Sequence, residues 1–265
     1  MYYHIFLILA VFAYALASGL FLHAFPAAGK RRLPRQAGFA LYLVAAVCVT
    51  IAGAGSWFMD SYYSQNSGLV LIAVISWITV ISYLRGLQLM GLFTAPLATL
   101  ILLFLALTYP GSEHLGSPPG PVATVHIALA ILGEACGVTA FAIALLYLFQ
   151  QRALKKKELG FINAATPSLD RLDRSLIISL WCGFTCFSLA LLTGAIYTQF
   201  IIPNPVPGLA LKVVWALAVW AWYLATLLAR NFFGQSGGMV SRMSVAGFLL
   251  LAVSFFGLLQ IGGES

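Results

Sequence analysis

"VHIALAILGEACGVTAFAIALLYLFQ", residues Val125 to Gln150, decides the fold. The run is longer than the roughly 20 apolar residues that a helix needs to cross a bilayer core. Arg152, Lys155, Lys156 and Lys157 follow it at once. One imidazole, His126, opens the run, and one carboxyl, Glu134, lies near its middle. A polypeptide carries such a segment through lipid only as a helix, because every backbone polar group must then be satisfied internally.

The rest of the chain has the same character. Its 265 residues are 62% hydrophobic and 8% charged, whereas a soluble domain carries about a quarter of its residues as charges. The sequence therefore predicts an integral membrane protein of the all-α class, a polytopic helix bundle built as a single transmembrane domain over 1–265. The net charge of +7 is not a nucleic-acid footprint, since no basic face alternates with stacking aromatics. It is loop charge facing the cytoplasm. Cys48, Cys136, Cys182 and Cys186 all fall inside apolar runs and read as small buried hydrophobes rather than disulfide partners. The apolar run from Ile5 to Leu22 lacks a basic leader and reads as an uncleaved first span.

The 20-residue ruler gives eight spans: 3–25, 37–58, 69–84, 87–109, 122–149, 175–200, 208–230 and 241–260. The third and fourth are divided by the "YLRGLQ" turn around Arg85 and Gly86. Thirteen of the fourteen Lys and Arg residues fall on or flank alternate connections, and Lys212 is the exception. Positive charge stays inside, so both termini are expected on the periplasmic or exterior side of a bacterial inner membrane. The segment 150–174 continues span 5 past the membrane and breaks near Gly160 and Pro167. "PSLDRLDR" then restarts it, with Ser168 as N-cap and Asp170 early in the turn. Its mixed charges suit a short helix at headgroup level, or a solvated loop. "TYPGSEHLGSPPGPV" and "FIIPNPVPG" are Pro/Gly-rich outer loops.

Ionisable groups inside a bilayer cost roughly 2.5–3.5 kcal/mol each, so His126 and Glu134 each ask for a reason. Eight residues separate them, which is about 12 Å along the helix and about 80° around it. They share a broad face but do not touch. Ala130, Gly133, Gly137 and Ala140 run beside them and admit close approach of another helix or a flat ligand. His126 reads either as an axial ligand or proton-handling group, or as an interfacial histidine. Glu134 reads either as a functional polar partner or as a neutral acid hydrogen-bonded to a neighbouring helix. No His pair has metal spacing, and no nucleophile elbow, P-loop or dinucleotide fingerprint appears. A non-enzymatic role is expected. Span 7 is aromatic, with Trp215, Trp220, Trp222 and Tyr223 strung through it beside Lys212.

Taken in order, the run at 125–150, the basic inner helix, "PSLDRLDR", "LTGAIY" and the spaced K-x-x-WAL-x-x-W resemble the cytochrome c assembly family of membrane proteins. That family includes CcsA-, CcmC- and CcmF-type proteins and shorter HemX-like and YpjD-like ones. The length and eight-span layout are most similar to the HemX/YpjD branch, and the motif match is densest over 120–230. The resemblance implies haem as cofactor, handled at the outer face. On the family pattern Lys212, Trp215, Ala216 and Leu217 match the end of the haem-receiving W-D-P-K-E-x-W-A-L run. Gly194, Ala195 and Ile196 match the preceding G-A-I, and His126 matches an outer haem-ligating histidine.

The chain also departs from that pattern. "FIIPNPVPGLAL" has no Trp or Asp, Leu228 stands where a histidine is usual, and neither span 2 nor "LLQIGGES" carries one. One of the four usual ligands remains. The resemblance thus implies a membrane component of haem handling and cytochrome c biogenesis. Its binding groups would be His126 (to the haem iron), Lys212, Trp215 and Glu134, and its partners the lipid bilayer and other membrane proteins of a cytochrome assembly or respiratory complex. The alternative is a non-catalytic assembly subunit of a membrane complex with no cofactor of its own.

Overall fold

A computed structural model describes residues 2–24, 32–58, 63–108, 120–157, 167–200 and 209–261. Among these there is no strand. The helices are α1 (Tyr2–Ala24), α2 (Arg32–Phe58), α3 (Tyr63–Leu84), α4 (Gly91–Thr108), α5 (Pro121–Lys155), α6 (Leu169–Phe200), α7 (Leu209–Asn231) and α8 (Gly237–Ile261). Each expected span coincides with one helix, in order. Six are long and apolar enough to cross a membrane, while the apolar stretches Gly91–Leu107 of α4 and Gly237–Val253 of α8 are shorter. The protein is an all-α polytopic membrane protein. The expected break near Gly160, His114 and most of both Pro/Gly-rich loops lie outside the described residues.

Two boundaries differ from the sequence reading. Span 4 was expected from residue 87, but α4 begins at Gly91. The chain closes α3 first: Leu87 N–H donates to the Ser82 carbonyl and Gly86 N–H to that of Tyr83, with Gly86 at φ 90°. That is a Schellman cap, which needs a left-handed residue. "PSLDRLDR" reads as a headgroup-level helix or a solvated loop ahead of span 6, yet α6 runs unbroken from Leu169. Ser168 Oγ accepts the Arg171 N–H at 3.3 Å, as an N-cap should. Leu172, Leu176 and Leu180 then form one buried stripe at helical spacing. Polarity marked the edge of the membrane there, and the helix ignored it.

The chain forms two compact units, the first of Met1–Pro118 with Phe149–Leu172, the second of Pro119–Leu148 with Asp173–Ser265. In the first, α1 packs along α2 and α4, and α3 packs along α2 and α4. Ala10, Tyr14, Ala17 and Phe21 make the buried stripe of α1, while Phe12 (64% exposed) and Leu16 (59%) face outward. The Tyr14 hydroxyl is kept inside while large apolar side chains also face outward, which suits a lipid surround. Tyr14 donates to Ser76 Oγ (2.5 Å), whose own proton goes to the Ile72 carbonyl (2.6 Å). Tyr42 lies edge-on to Tyr14 at 5.2 Å, with its hydroxyl facing Ser76, Thr79 and Thr94. That hydroxyl is buried and makes no hydrogen bond among the described residues.

In the second unit, α5 and α6 run antiparallel and meet through glycine. The Phe187 ring covers Gly133, and Gly183 lies against Cys136 and Tyr223. From α7 the Tyr223 hydroxyl abuts Gly137, as does Leu251 of α8. Phe141 stacks on Phe248 at 4.0 Å. At the other end Arg230 of α7 pairs with Asp173 of α6 and also donates to the Gln235 carbonyl at 2.9 Å. Gly237, opening α8, sits flush against Asp173 and the Tyr147 hydroxyl. The ion pair thus joins α6 to α7, with Tyr147 of α5 and Gly237 of α8 packed beside it.

Candidate functional site

His126, Glu134, Lys212 and Trp215 all belong to the second unit. His126 lies in the second turn of α5, half-buried, with Nδ1 2.9 Å from the Ala190 carbonyl oxygen of α6. A carbonyl can only accept, so Nδ1 carries the proton. In the neutral ring Nε2 then keeps its lone pair, ready to act as an acceptor or metal ligand. The ring lies against Gly194, one helical turn beyond Ala190. Ala190 is buried and Gly194 half-buried, so the imidazole rests against a partly covered stretch of α6.

Trp215 lies near the depth of His126, and Lys212 lies about 4.5 Å nearer the start of α7. Trp220 Nε1–H donates to Ser188 Oγ at 2.9 Å, which pins α7 to α6. Five residues from Trp220 toward the His126 end is Trp215, about 7.5 Å along α7. The same step on antiparallel α6 reaches Thr193, beside Gly194. Lys212, Trp215, Val219 and Tyr223 are spaced 3, 4 and 4 apart and so follow one helix stripe. Val219 and Tyr223 are buried, Trp215 is half-buried, and Lys212 is exposed. The face of α7 that packs inward thus opens at the His126 end.

Lys212 has no ion pair among the described residues. It stands in the first turn of α7, where a cation opposes the helix dipole by about 0.3–1 kcal/mol. Helix stability therefore does not account for it. No hydrogen bond or ion pair joins it to His126, Trp215 or Glu134 among the described residues.

Glu134 is placed differently. It lies two turns deeper than His126, half-buried, within electrostatic reach of the Tyr223 phenol. It makes no hydrogen bond or ion pair among the described residues. The small-residue stripe beside it is filled by Phe187 at Gly133 and Tyr223 at Gly137. Of the two occupants the sequence allows there, neighbouring helices take both glycine positions. Cys136, Cys182 and Cys186 lie in the same region as free thiols.

The sequence reading missed the Ala190 carbonyl, Thr193, and the Asp173–Arg230 pair. A backbone acceptor leaves no trace in residue identity. The "DRLDR" run displays its charges but not the one that turns inward.

Comparison with known proteins points to one family. A match to the family described as Cytochrome C assembly protein covers residues 61–262. The inner membrane protein YpjD of Escherichia coli K12 is 29% identical over 226 residues, covering 81% of this chain and 82% of that protein. The cytochrome c biogenesis protein CcsA of Guillardia theta is 22% identical over 255 residues, 85% of this chain and 83% of its own length. Protein HemX of Bacillus subtilis is 26% identical over 132 residues, about half of each chain (50% and 48%). No solved structure matches the chain significantly. Because the family match runs over most of the chain, from residue 61 to residue 262, the chain belongs to the cytochrome c assembly protein family.

Proposed function

We propose that this protein is a non-catalytic haem-handling component of cytochrome c biogenesis, seated in a bacterial inner membrane with both termini on the outer side. Haem would be held at the outer end of the second unit. The single observation that carries the reading is the 2.9 Å contact from His126 Nδ1 to the Ala190 carbonyl. Histidines that bind metals typically spend one ring nitrogen on such an acceptor and present the other. The residues fit the group. Nε2 of His126 would hold the iron, the ammonium of Lys212, which has no ion pair among the described residues, would suit a propionate, and the half-exposed Trp215 indole would suit a macrocycle edge. When bound, haem supplies an iron that accepts the imidazole nitrogen. Glu134 supplies a second polar group about 12 Å deeper.

A second reading is an assembly subunit without a cofactor, working among other membrane proteins of a cytochrome assembly or respiratory complex. The histidines that the family pattern has and this chain lacks favour it. An absorption spectrum of protein purified from haem-replete membranes separates the two. We expect a Soret band that is lost in His126→Ala. No band in either protein, with the fold intact, removes the haem reading and leaves the subunit.

A further inference from the structure

We infer that Gly194 and the Ala190 carbonyl of α6 act as a positioning pair that fixes both the tautomer and the plane of the His126 imidazole. The purpose of this device rests on the haem reading above, but its existence does not. Nδ1 of His126 lies 2.9 Å from the Ala190 oxygen, so a backbone group, which no side-chain replacement removes, holds the proton on Nδ1 and leaves Nε2 bare.

The second half of the device is the missing side chain at 194. A Cβ there would stand 2.9 Å from Cε1 and 3.1 Å from Nδ1 of the ring. Those are the hydrogen-bonding nitrogen and the carbon beside it. The ring is not the loose end of a flexible chain, having two torsions and one face already committed. Alanine at 194 must therefore push the ring away from the same carbonyl that orients it.

Thr193 shares that carbonyl. Its hydroxyl is 3.0 Å from the Ala190 oxygen and 2.8 Å from that of Leu189. The helix bond from Gly194 N–H also ends on the Ala190 oxygen. The imidazole thus competes with two local donors and keeps its place because Gly194 lets it come close. Removing the Thr193 hydroxyl relieves that competition and leaves the ring where it is.

The test uses the full chain labelled with 15N-histidine in lipid nanodiscs, His126 being assigned by its absence in His126→Ala. Wild type and Thr193→Val are expected to show a protonated Nδ1 and a bare Nε2. Gly194→Ala is expected to lose that single tautomer. Its affinity for added haemin should fall by about 10- to 100-fold, the usual effect of losing an outer partner of a metal-binding histidine. A wild type with the proton on Nε2 overturns the inference, and this measurement needs no variant to fold. So does a folded Gly194→Ala with unchanged tautomer and haemin affinity. If wild type binds no haemin, the haem reading fails while the tautomer still decides the positioning pair.

Discussion

At the scale of the residue, Glu134 is the group whose presence is hardest to explain by stability. It sits half-buried in a membrane-spanning helix without a hydrogen-bond partner among the described residues. An unpaired ionisable side chain in that setting costs about 2.5–3.5 kcal/mol. We therefore expect Glu134→Leu to raise the thermal midpoint of the purified protein while weakening its haemin binding. A fall in the midpoint would show that Glu134 has a stabilising partner. The types of the site residues were legible in the sequence, because a lone His, Glu or Lys in an apolar run is conspicuous. Their partners were not. His126 bonds a residue 64 positions away, and no periodicity within α5 says which helix will face it.

At the scale of the element, helices were legible and their ends were not. Hydropathy reports where the bilayer stops, while backbone bonding reports where the helix stops, and the two disagree at α4 and α6. The Gly86 cap is one such end. Gly86→Ala should cost about 1–2 kcal/mol from the left-handed backbone alone, and Arg171 Nη1 stands 2.9 Å from the added methyl. Urea or thermal unfolding in micelles measures that loss, and an unchanged midpoint would refute the cap. The Asp173–Arg230 pair makes a second prediction. A double-mutant cycle with Asp173→Asn and Arg230→Gln should give a coupling of about 0.5–3 kcal/mol. Additive losses would reduce the pair to a surface contact. Tyr42→Phe, by contrast, is expected to be neutral or stabilising, because it deletes a buried hydroxyl that has no hydrogen-bond partner among the described residues. A clear loss of stability would reveal a water bridging that hydroxyl to Thr79 and Thr94.

At the scale of the whole molecule, the charge pattern fixes an expectation that geometry alone does not address. With thirteen of fourteen cations assigned to one side, alkaline phosphatase fused after Ser265 should be active, and green fluorescent protein fused there should be dark. The reverse result would invert the molecule and put His126 on the cytoplasmic side. Fold class was legible here because the excess of apolar residues leaves lipid as the only compatible solvent. The division into two units was not, since α5 and α6 each contribute to both, and a helix shared in that way shows no seam in its sequence.

The bond from His126 to a main-chain oxygen has a consequence for how the site can change over generations. Ala190 supplies an atom that every amino acid possesses, so its codon is free to wander among residues that fit the packing. Position 194 has no such freedom. A saturation library scored for function should therefore accept several small residues at 190 and reject every replacement at 194, although the two are one turn apart and serve the same ring.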